Sequence, residues 1–194
     1  MKWINLFGAG QTKSIVAQNT RLYQLRKDGS IWIHAGNQIW EIASSGITAI
    51  AASPNSDYSF PFLFEQYQDG SICAMNGVGG QKIYDKGPTK MLVPTENGLS
   101  SNFLYLVQSN GVILGCWWAN GKNMTGWLTY DKNPKTIEFA AEFQALYQLH
   151  NDGTIWQYTG GSSPKITDWK MIDNNPKAIQ IVCSNPIGNL WLPQ

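Results

Sequence analysis

A dipeptide recurs along this chain at nearly constant spacing, and it limits the available folds more than any other feature. Its four copies are Asp28-Gly29, Asp69-Gly70, Asn110-Gly111 and Asp152-Gly153. Successive copies are 41, 41 and 42 residues apart. Asp-Gly and Asn-Gly favour two-residue hairpin turns, because both residues tolerate positive φ. The spacing therefore predicts four similar units, each built around a β-hairpin.

The residues around each turn predict strands on both sides. A Leu-aromatic pair lies before every turn, as Leu22-Tyr23, Leu63-Phe64, Leu104-Tyr105 and Leu146-Tyr147. A short alternating run follows it, ending in Trp32, Cys73, Leu114 or Trp156. A run of small apolar residues comes ahead of each hairpin, and a segment with an aromatic anchor comes after it. The anchors are Trp40, Tyr84, Trp127 and Trp169. Each unit therefore contains four strands, and none carries a helical period.

The fold predicted from these repeats is all-β: a β-propeller of four-stranded blades, each about 42 residues long. We expect a single domain over residues 1–194. The repeats cover approximately 12–46, 47–88, 89–134 and 135–177, and a last one combines 178–194 with 1–11.

The last repeat bears on how the ring closes. Leu190-Trp191 occupies the Leu-aromatic position of a fifth copy, and the segment from Trp3 to Phe7 lies where an outer strand belongs. We therefore expect five blades, with the two termini sharing one blade so that no edge strand is exposed. Two alternatives remain open. Another subunit could supply the missing strand, or the ring could have four blades with its ends packed otherwise.

Composition argues against several classes of partner. Charged residues make up 14% of the chain and the formal net charge is +1, so neither nucleic acid nor an anionic membrane is expected to bind. No apolar run is long enough to insert into a membrane. The three cysteines lack paired spacing, which is typical of a reduced protein. With no signal-peptide core at the N-terminus, a cytoplasmic location is expected, and secretion by a non-classical route stays open.

Residues suited to catalysis are sparse. The two histidines, His34 and His150, hold different offsets in their repeats, and no His, Cys and carboxylate cluster has metal-ligand spacing. No metal or cofactor is therefore expected. Acids such as Asp152 serve turn geometry and would be spread around a ring, whereas glycoside hydrolysis needs two carboxylates across one cleft. We predict that the protein is not an enzyme, with a glycoside hydrolase as the less favoured alternative.

Aromatic and amide side chains near strand ends are the candidate binding groups. A flat aromatic ring matches the C–H face of a pyranose, and Asn, Gln and Asp can hydrogen-bond to hydroxyl groups. The candidates are Tyr23, Trp32, Trp40, Trp118, Trp127, Tyr147, Trp156, Trp169, Asp173 and Asn175. The alternative is that these aromatics pack between blades. In the Trp117-Trp118 pair, adjacent strand residues face opposite ways, so one should lie away from the buried face of its blade.

One family matches these motifs. The run Leu-Tyr-Gln-Leu-His-Asn-Asp-Gly-Thr-Ile-Trp-Gln-Tyr-Thr-Gly from residue 146, followed by Trp-Lys-Met-Ile-Asp-Asn-Asn-Pro from residue 169, resembles the tectonin repeat of fungal and bacterial β-propeller lectins. The resemblance is close over 135–177 and good over 12–42. It weakens over 47–88, where Cys73 replaces Trp, and over 90–134, where Leu114 does.

The resemblance implies a carbohydrate-binding lectin without catalysis. Its sites would lie between blades or on one face, and would take N-acetylglucosamine, fucose or methylated sugars. Several weak sites would gain strength by multivalency. Because related repeats also bind proteins, a scaffold for protein–protein contacts is the alternative function. Association into a homo-oligomer is left open.

Overall fold

The structure is a computed structural model, and the residues that it describes form nineteen β-strands. It describes residues 10–18, 21–35, 38–43, 45–53, 63–76, 79–84, 87–96, 101–119, 123–124, 126–142, 145–161, 163–184 and 189–191, and within these ranges it contains no helix. The chain divides into two compact units, residues 1–87 and residues 88–194.

The first unit contains two antiparallel sheets of four strands, each paired in chain order. Blade 1 consists of β1 (Thr12–Gln18), β2 (Arg21–Arg26), β3 (Ile31–Ala35) and β4 (Gln38–Ala43). Blade 2 consists of β5 (Ile47–Ala52), β6 (Leu63–Tyr67), β7 (Ile72–Asn76) and β8 (Gly79–Tyr84).

The second unit continues the pattern. Blade 3 consists of β9 (Thr89–Glu96), β10 (Ser101–Gln108) and β11 (Ile113–Ala119), and both β12 (Asn123–Met124) and β13 (Leu128–Asp131) pair with β11. Blade 4 consists of β14 (Thr136–Glu142), β15 (Ala145–His150), β16 (Ile155–Tyr158) and β17 (Trp169–Asp173). A last pair, β18 (Val182–Ser184) and β19 (Asn189–Trp191), forms a two-stranded sheet.

These sheets confirm the predicted all-β architecture of four-stranded repeats. The fifth copy contains the two-stranded sheet. Residues 1–9 and 192–194, on which the predicted ring closure depends, lie outside the described residues. The shared blade, the number of blades and the single domain over 1–194 therefore stay predictions.

The hairpin turns differ from the predicted two-residue type. In blade 4, the Gly153 N–H donates to the His150 carbonyl at 3.0 Å, and the His150 N–H donates to the Thr154 carbonyl at 2.9 Å. Three residues therefore form the loop, and Gly153 has a φ of 82°. This is a three-residue loop with a glycine bulge. The side chain of Asp152 stabilises it, because its Oδ1 accepts the Thr154 N–H at 3.1 Å.

The same turn recurs in the other three blades. Its glycines have φ values of 83–84°, and a side-chain oxygen of the preceding Asp or Asn accepts the backbone N–H two residues on. A Cβ added to Gly153 would also collide with the backbone carbonyl of Asn175, in the loop that enters the next repeat. The glycine is thus required both by its left-handed conformation and by close packing.

Two β-bulges recur in every blade. One lies between the first two strands, at Lys13, Thr48, Lys90 and Ile137. The other lies in the fourth strand, at Ile42, Ile83, Tyr130 and Ile172. In unit 2 the Lys90 Nζ donates to the carbonyl of Ile137 at 2.8 Å, which ties the bulge of blade 3 to that of blade 4. Because both bulges occupy matching positions in the four blades, they are a shared feature of the repeat. Bulges also increase the local twist of a strand.

The core lies between neighbouring blades within each unit. In unit 1, Tyr23 and Leu25 of blade 1 pack with Ile50 and Leu63 of blade 2. In unit 2, one cluster joins blades 3 and 4, and a second joins Tyr147 and Leu149 of blade 4 to Ile181 just before β18. Burial of these alternating apolar residues is the main stabilising term, at about 1.5–3 kcal/mol for each large side chain.

Candidate functional site

Two of the candidate aromatics are core residues. Tyr23 is fully buried and its hydroxyl donates to Gln18 Oε1 at 3.5 Å. Tyr147 is 5% exposed, and its hydroxyl accepts the Gln157 amide at 3.4 Å. Burial raises the pKa of the Tyr147 phenol. The rings of Tyr23 and Tyr147 therefore occupy packing positions, the alternative that the sequence left open, and present no open face to a sugar.

Trp169 also holds a packing position, at the junction of blades 3 and 4. Its indole N–H donates to the Tyr130 carbonyl at 3.0 Å. Its ring lies 5.3 Å from that of Tyr158 and 6.5 Å from that of Phe139, measured between centroids. These contacts fix the outer strand of blade 4 to blade 3.

Trp40 and Trp169 are not equivalent, although both anchor the fourth strand of their repeats. Trp169 pairs with Tyr158, whereas Trp40 pairs with Ile33. Ile33 matches Gln157, one residue before Tyr158 in the repeat. The backbone register therefore gives Trp40 the position that Lys170, not Trp169, holds in blade 4. The side chain of Trp40 lies outside the described part of the chain.

Blade 3 holds two further candidate tryptophans, Trp118 and Trp127. Trp118 pairs with Asn102 and Met124 on either side of β11, and its side chain is outside the described set. Its neighbour Trp117 is half-buried and its ring lies 6.0 Å from that of Phe103. Trp127 is half-buried directly before β13, at the position that matches Trp169.

Asp173 and Asn175 participate in the loop that follows blade 4. Asp173 Oδ1 accepts the Asn174 N–H at 2.9 Å, and Asn175 Oδ1 accepts the Lys177 N–H at 3.1 Å. The loop after blade 3 repeats both bonds through Asp131 and Asn133. One oxygen of each side chain therefore holds a turn, and Asn175 is exposed.

Trp32 and Trp156 form a site that recurs in blades 1 and 4. Each is half-buried and lies three residues after its turn glycine. The Trp32 N–H donates to Ser30 Oγ at 3.1 Å, and the Trp156 N–H donates to Thr154 Oγ1 at 3.0 Å. Each hydroxyl in turn donates to the turn aspartate, at 2.7 Å in blade 1 and 2.6 Å in blade 4. The turn therefore sets the orientation of the indole ring.

The ring of each indole is covered by the residue that precedes the turn. In blade 1, the Cζ of Arg26 lies 4.0 Å from the Trp32 ring centroid, within the range of a cation–π contact. In blade 4, the His150 imidazole stacks on Trp156 with centroids 5.6 Å apart and planes inclined by 28°. Each indole keeps some exposure. The backing residue therefore holds a flat apolar surface in a fixed position near the hairpin turn of the blade.

A buried glutamine lies beside each indole, on the strand that precedes the hairpin turn. Gln24 pairs with Trp32 and Gln148 pairs with Trp156, and both glutamines are almost completely buried. The Gln148 amide donates to Asp131 Oδ2 at 2.8 Å and accepts from Thr136 Oγ1 at 2.7 Å. Gln24 similarly donates to Thr12 Oγ1 at 2.7 Å. Satisfied polar groups of this kind fix the sheet beneath the indole.

Blades 2 and 3 lack this site. Cys73 and Leu114 stand in the indole positions. In blade 2 the Tyr67 hydroxyl donates to Glu65 Oε2 at 3.0 Å, so a phenol ring takes the position that Arg26 and His150 hold elsewhere. Glu65 is 1% exposed and its Oε1 has no partner among the described residues. Burial raises the pKa of this carboxyl, and the Tyr67 hydrogen bond opposes the shift.

Charged groups surround the blade 4 site on its exposed side. Asp152 Oδ2 and Lys135 Nζ form an ion pair at 2.9 Å, with both side chains partly exposed. Hydrogen bonds from Thr154 and Lys135 hold the pKa of the Asp152 carboxyl far below its usual range. Met171 pairs with Trp156 across β16 and β17 and is 47% exposed. An apolar surface with charged groups at its edge suits an amphipathic ligand such as a sugar.

The described residues offer little for catalysis or metal binding. No three His, Cys, Asp or Glu side chains among them converge on a point that could hold a metal ion. The three cysteines are free thiols, and burial raises the pKa of each, to about 11 for Cys183. Thiols of this kind are poor nucleophiles at neutral pH. No helix in the described ranges is long and apolar enough to span a membrane.

Arg26 and His150 were not among the site residues predicted from the sequence. They share one offset from the turn glycine, and this register was the available signal. The shared offset did not predict a shared role, because an arginine and a histidine are chemically unlike. The structure shows that both lie against an indole.

Comparison with known proteins supports the fold. No family model matches the chain, and no curated protein matches it significantly. Among solved structures, SapL1 lectin in complex with alpha methyl fucoside is 13% identical with a TM-score of 0.55, covering 92% of this chain and 71% of that one. Prp20p from Saccharomyces cerevisiae is 10% identical with a TM-score of 0.64, covering 93% and 56%.

A third similar structure is the WD40 domain of SCAP from fission yeast. It is 13% identical with a TM-score of 0.60, and the match covers 94% of this chain and 47% of that one. The chain thus spans about half the length of the Prp20p and SCAP structures. At such low identity the likeness concerns the fold alone. Together with the four-stranded sheets, it shows that this chain has the β-propeller fold.

Proposed function

We propose that the protein is a carbohydrate-binding lectin without catalytic activity. The observation that carries the proposal is the recurrence, in blades 1 and 4, of an indole fixed by its turn hydroxyl and backed on its ring by another side chain. An isolated packing tryptophan would not need the same three-residue support twice. Two such surfaces on one chain suit multivalent binding.

The chemistry of the site favours sugars over other small ligands. A pyranose offers one apolar C–H face and a rim of hydroxyl groups. At Trp156 the half-buried indole can take that face, and Asp152 and Lys135 can hydrogen-bond to hydroxyls or to an acetamido group. N-acetylglucosamine, fucose and methylated sugars are the proposed ligands. The fucoside in the SapL1 structure and the tectonin-like motifs support this choice.

The test is a glycan array followed by calorimetric titration of the sugars that bind. Trp32→Ala and Trp156→Ala should each remove one class of site, and the double variant should lose binding. Cys73→Ala is the matched control, because it truncates the same position in a blade without an indole. If the double variant binds sugar like the parent protein, with both shown folded by thermal unfolding, the indole sites are wrong. If the parent protein binds no glycan, the lectin function is wrong.

A scaffold for protein–protein contacts is the second candidate. Several apolar side chains on outer strands are exposed: Ile39 at 51%, Met171 at 47% and Ile172 at 42%. Such residues are common in protein-binding surfaces. Of the similar structures, that of Prp20p comes from a study of its binding to Gsp1p and histones. Ile39→Glu and Ile172→Glu should lower the affinity for a protein partner and leave the affinity for sugars unchanged. This difference separates the two functions.

We also propose a reducing, cytoplasmic environment. The three free thiols of Cys73, Cys116 and Cys183 support it, since no disulfide stabilises the fold among the described residues. Equal thermal stability with and without a thiol reductant is the expected result.

A further inference from the structure

The two indole sites differ mainly in the charge of the residue that backs them. Arg26 over Trp32 is a cation at every accessible pH. His150 against Trp156 is an imidazole, whose charge changes near physiological pH. The turn and the hydroxyl are otherwise alike in blades 1 and 4. Both glutamines are buried, but Gln148 bonds to Asp131 and Thr136, whereas Gln24 Oε1 lies 3.3 Å from the Nε2 of His34. Burial and the charge of Arg26 both lower the pKa of this second imidazole, which lies against the glutamine.

The surroundings of His150 favour its neutral form. The side chain is 3% exposed, its Nδ1 lies 3.3 Å from Thr154 Oγ1, and its Nε2 has no partner among the described residues. Burial lowers the pKa of the imidazole, Asp152 and Asp131 raise it, and Lys135 lowers it again. With burial as the largest cause, His150 is neutral at pH 7 and gains its proton only in acid.

We infer that the residue behind the indole determines how each sugar site responds to acid. The Trp156 site binds neutral sugars at neutral pH and weakens as His150 becomes charged, whereas the Trp32 site keeps one affinity throughout. This inference rests on the proposed lectin function.

Two physical effects predict that the sugar affinity of the Trp156 site falls in acid. A cation on one face of an indole attracts its π electrons, and the opposite face then holds the C–H groups of a sugar less strongly. In addition, a protonated Nε2 would be a buried donor with no acceptor in the part of the chain that the structure describes, which favours movement of the imidazole away from Trp156. The folded site thus prefers neutral His150, and this preference is lost as pH falls below the ordinary histidine value of 6.5 and through the lowered pKa.

The experiment isolates each site. Trp32→Ala leaves the site of blade 4, and Trp156→Ala leaves the site of blade 1. Binding of N-acetylglucosamine and of α-methyl fucoside is measured by calorimetry from about pH 7.5 to about pH 5, on both sides of the ordinary histidine pKa. In Trp32→Ala the affinity should fall about fivefold toward acid, the scale of one cation–π contact. In Trp156→Ala it should stay constant.

Exchanging the backing residues tests the cause. His150→Arg, made in Trp32→Ala, should show the weaker affinity at every pH. Arg26→His, made in Trp156→Ala, should become sensitive to acid. His150→Gln in Trp32→Ala provides a side chain that does not titrate, so the affinity of this variant, whatever its value at neutral pH, should not change toward acid. Thermal unfolding at both ends of the pH range shows which variants are folded.

The outcomes separate this inference from the function on which it rests. If neither sugar binds to any variant at any pH, both are overturned. If sugars bind but both single-site variants respond equally to acid, or His150→Gln still loses affinity, only the inference is overturned.

Discussion

Blades 4 and 2 share a backbone plan, and they differ at all three matched positions of the indole, its backing residue and the buried glutamine. Both have the same three-residue turn, the same two bulges and the same buried turn glycine. In place of Trp156, His150 and Gln148, blade 2 has Cys73, Tyr67 and Glu65. The turn aspartate is satisfied in both blades, so turn geometry is preserved whether or not an indole site accompanies it. The turn therefore belongs to the fold, and the three differing side chains belong to the proposed site.

The largest expected effect comes from giving blade 4 the acid of blade 2. Gln148→Glu removes the amide that donates to Asp131 and places a second carboxylate beside it. Unfolding in urea at pH 7 should show a loss of about 3 to 5 kcal/mol, the usual result of leaving a buried charge unpaired. Part of the loss should return in acid, where the new carboxyl is protonated. Gln180→Glu, at an exposed position, is the control and should be nearly neutral.

The shared turn can be tested at its glycine. Gly153→Ala should cost about 2 to 4 kcal/mol, because it combines positive φ with a backbone collision. Gly161→Ala is the matched control, since a Cβ there meets no atom within 4 Å. Equal unfolding free energies for the two variants would contradict the structural role assigned to the turn.

The reverse exchange in blade 2 should stabilise the protein. Glu65→Gln replaces a buried carboxyl with the side chain found in blades 1 and 4, and should add about 1 to 2 kcal/mol at neutral pH. The raised pKa of Glu65 means that the folded state holds its proton more tightly than the unfolded state. Stability from this group is therefore full below the unfolded value of 4.5 and is lost as pH rises through the raised folded pKa. Urea unfolding across this range should show a flatter pH dependence for the variant. A slope unchanged from that of the parent would argue against an ionised Glu65.

The smallest effect is expected at the exposed ion pair of blade 4. Lys135→Met removes the partner of Asp152, but both side chains are partly exposed and solvent screens them. The melting temperature should barely change at low or at high salt. A marked loss that disappears in salt would show that the pair contributes more to the turn than its hydrogen bonds with Thr154 suggest.

Much of the fold could be predicted from sequence, because its signals are local. The spacing of turn glycines and the Leu-aromatic pairs identify the strands and their order, since neighbours in the chain are neighbours in the sheet. Loop length could not be predicted the same way. Asp-Gly suits both two-residue and three-residue loops, and the choice depends on hydrogen bonds such as that from Gly153 to His150.

The candidate site was less predictable, because burial and register decide it. Tyr23 and Trp32 are both aromatic strand residues, but only contacts between blades show that the tyrosine is enclosed. Trp40 and Trp169 occupy similar places in the sequence, yet their backbone registers differ by one residue. Gln24 and Gln148 carry no pattern that distinguishes a buried amide from an exposed one. The burial of these side chains depends on contacts with residues far away in the sequence. Local sequence patterns do not reveal such contacts.

The meander order of the blades also has a consequence for how the chain acquires its fold. Within a blade the strands pair with their neighbours along the chain, except that β13 pairs with β11, so the hydrogen bonds of a blade close only short loops. Folding rates rise as contacts become more local. During synthesis, every 41 or 42 residues that leave the ribosome therefore contain all the strand partners of one blade. Hydrogen exchange should accordingly find each blade protected as one cooperative block, with the boundaries between blocks in the loops that join blades.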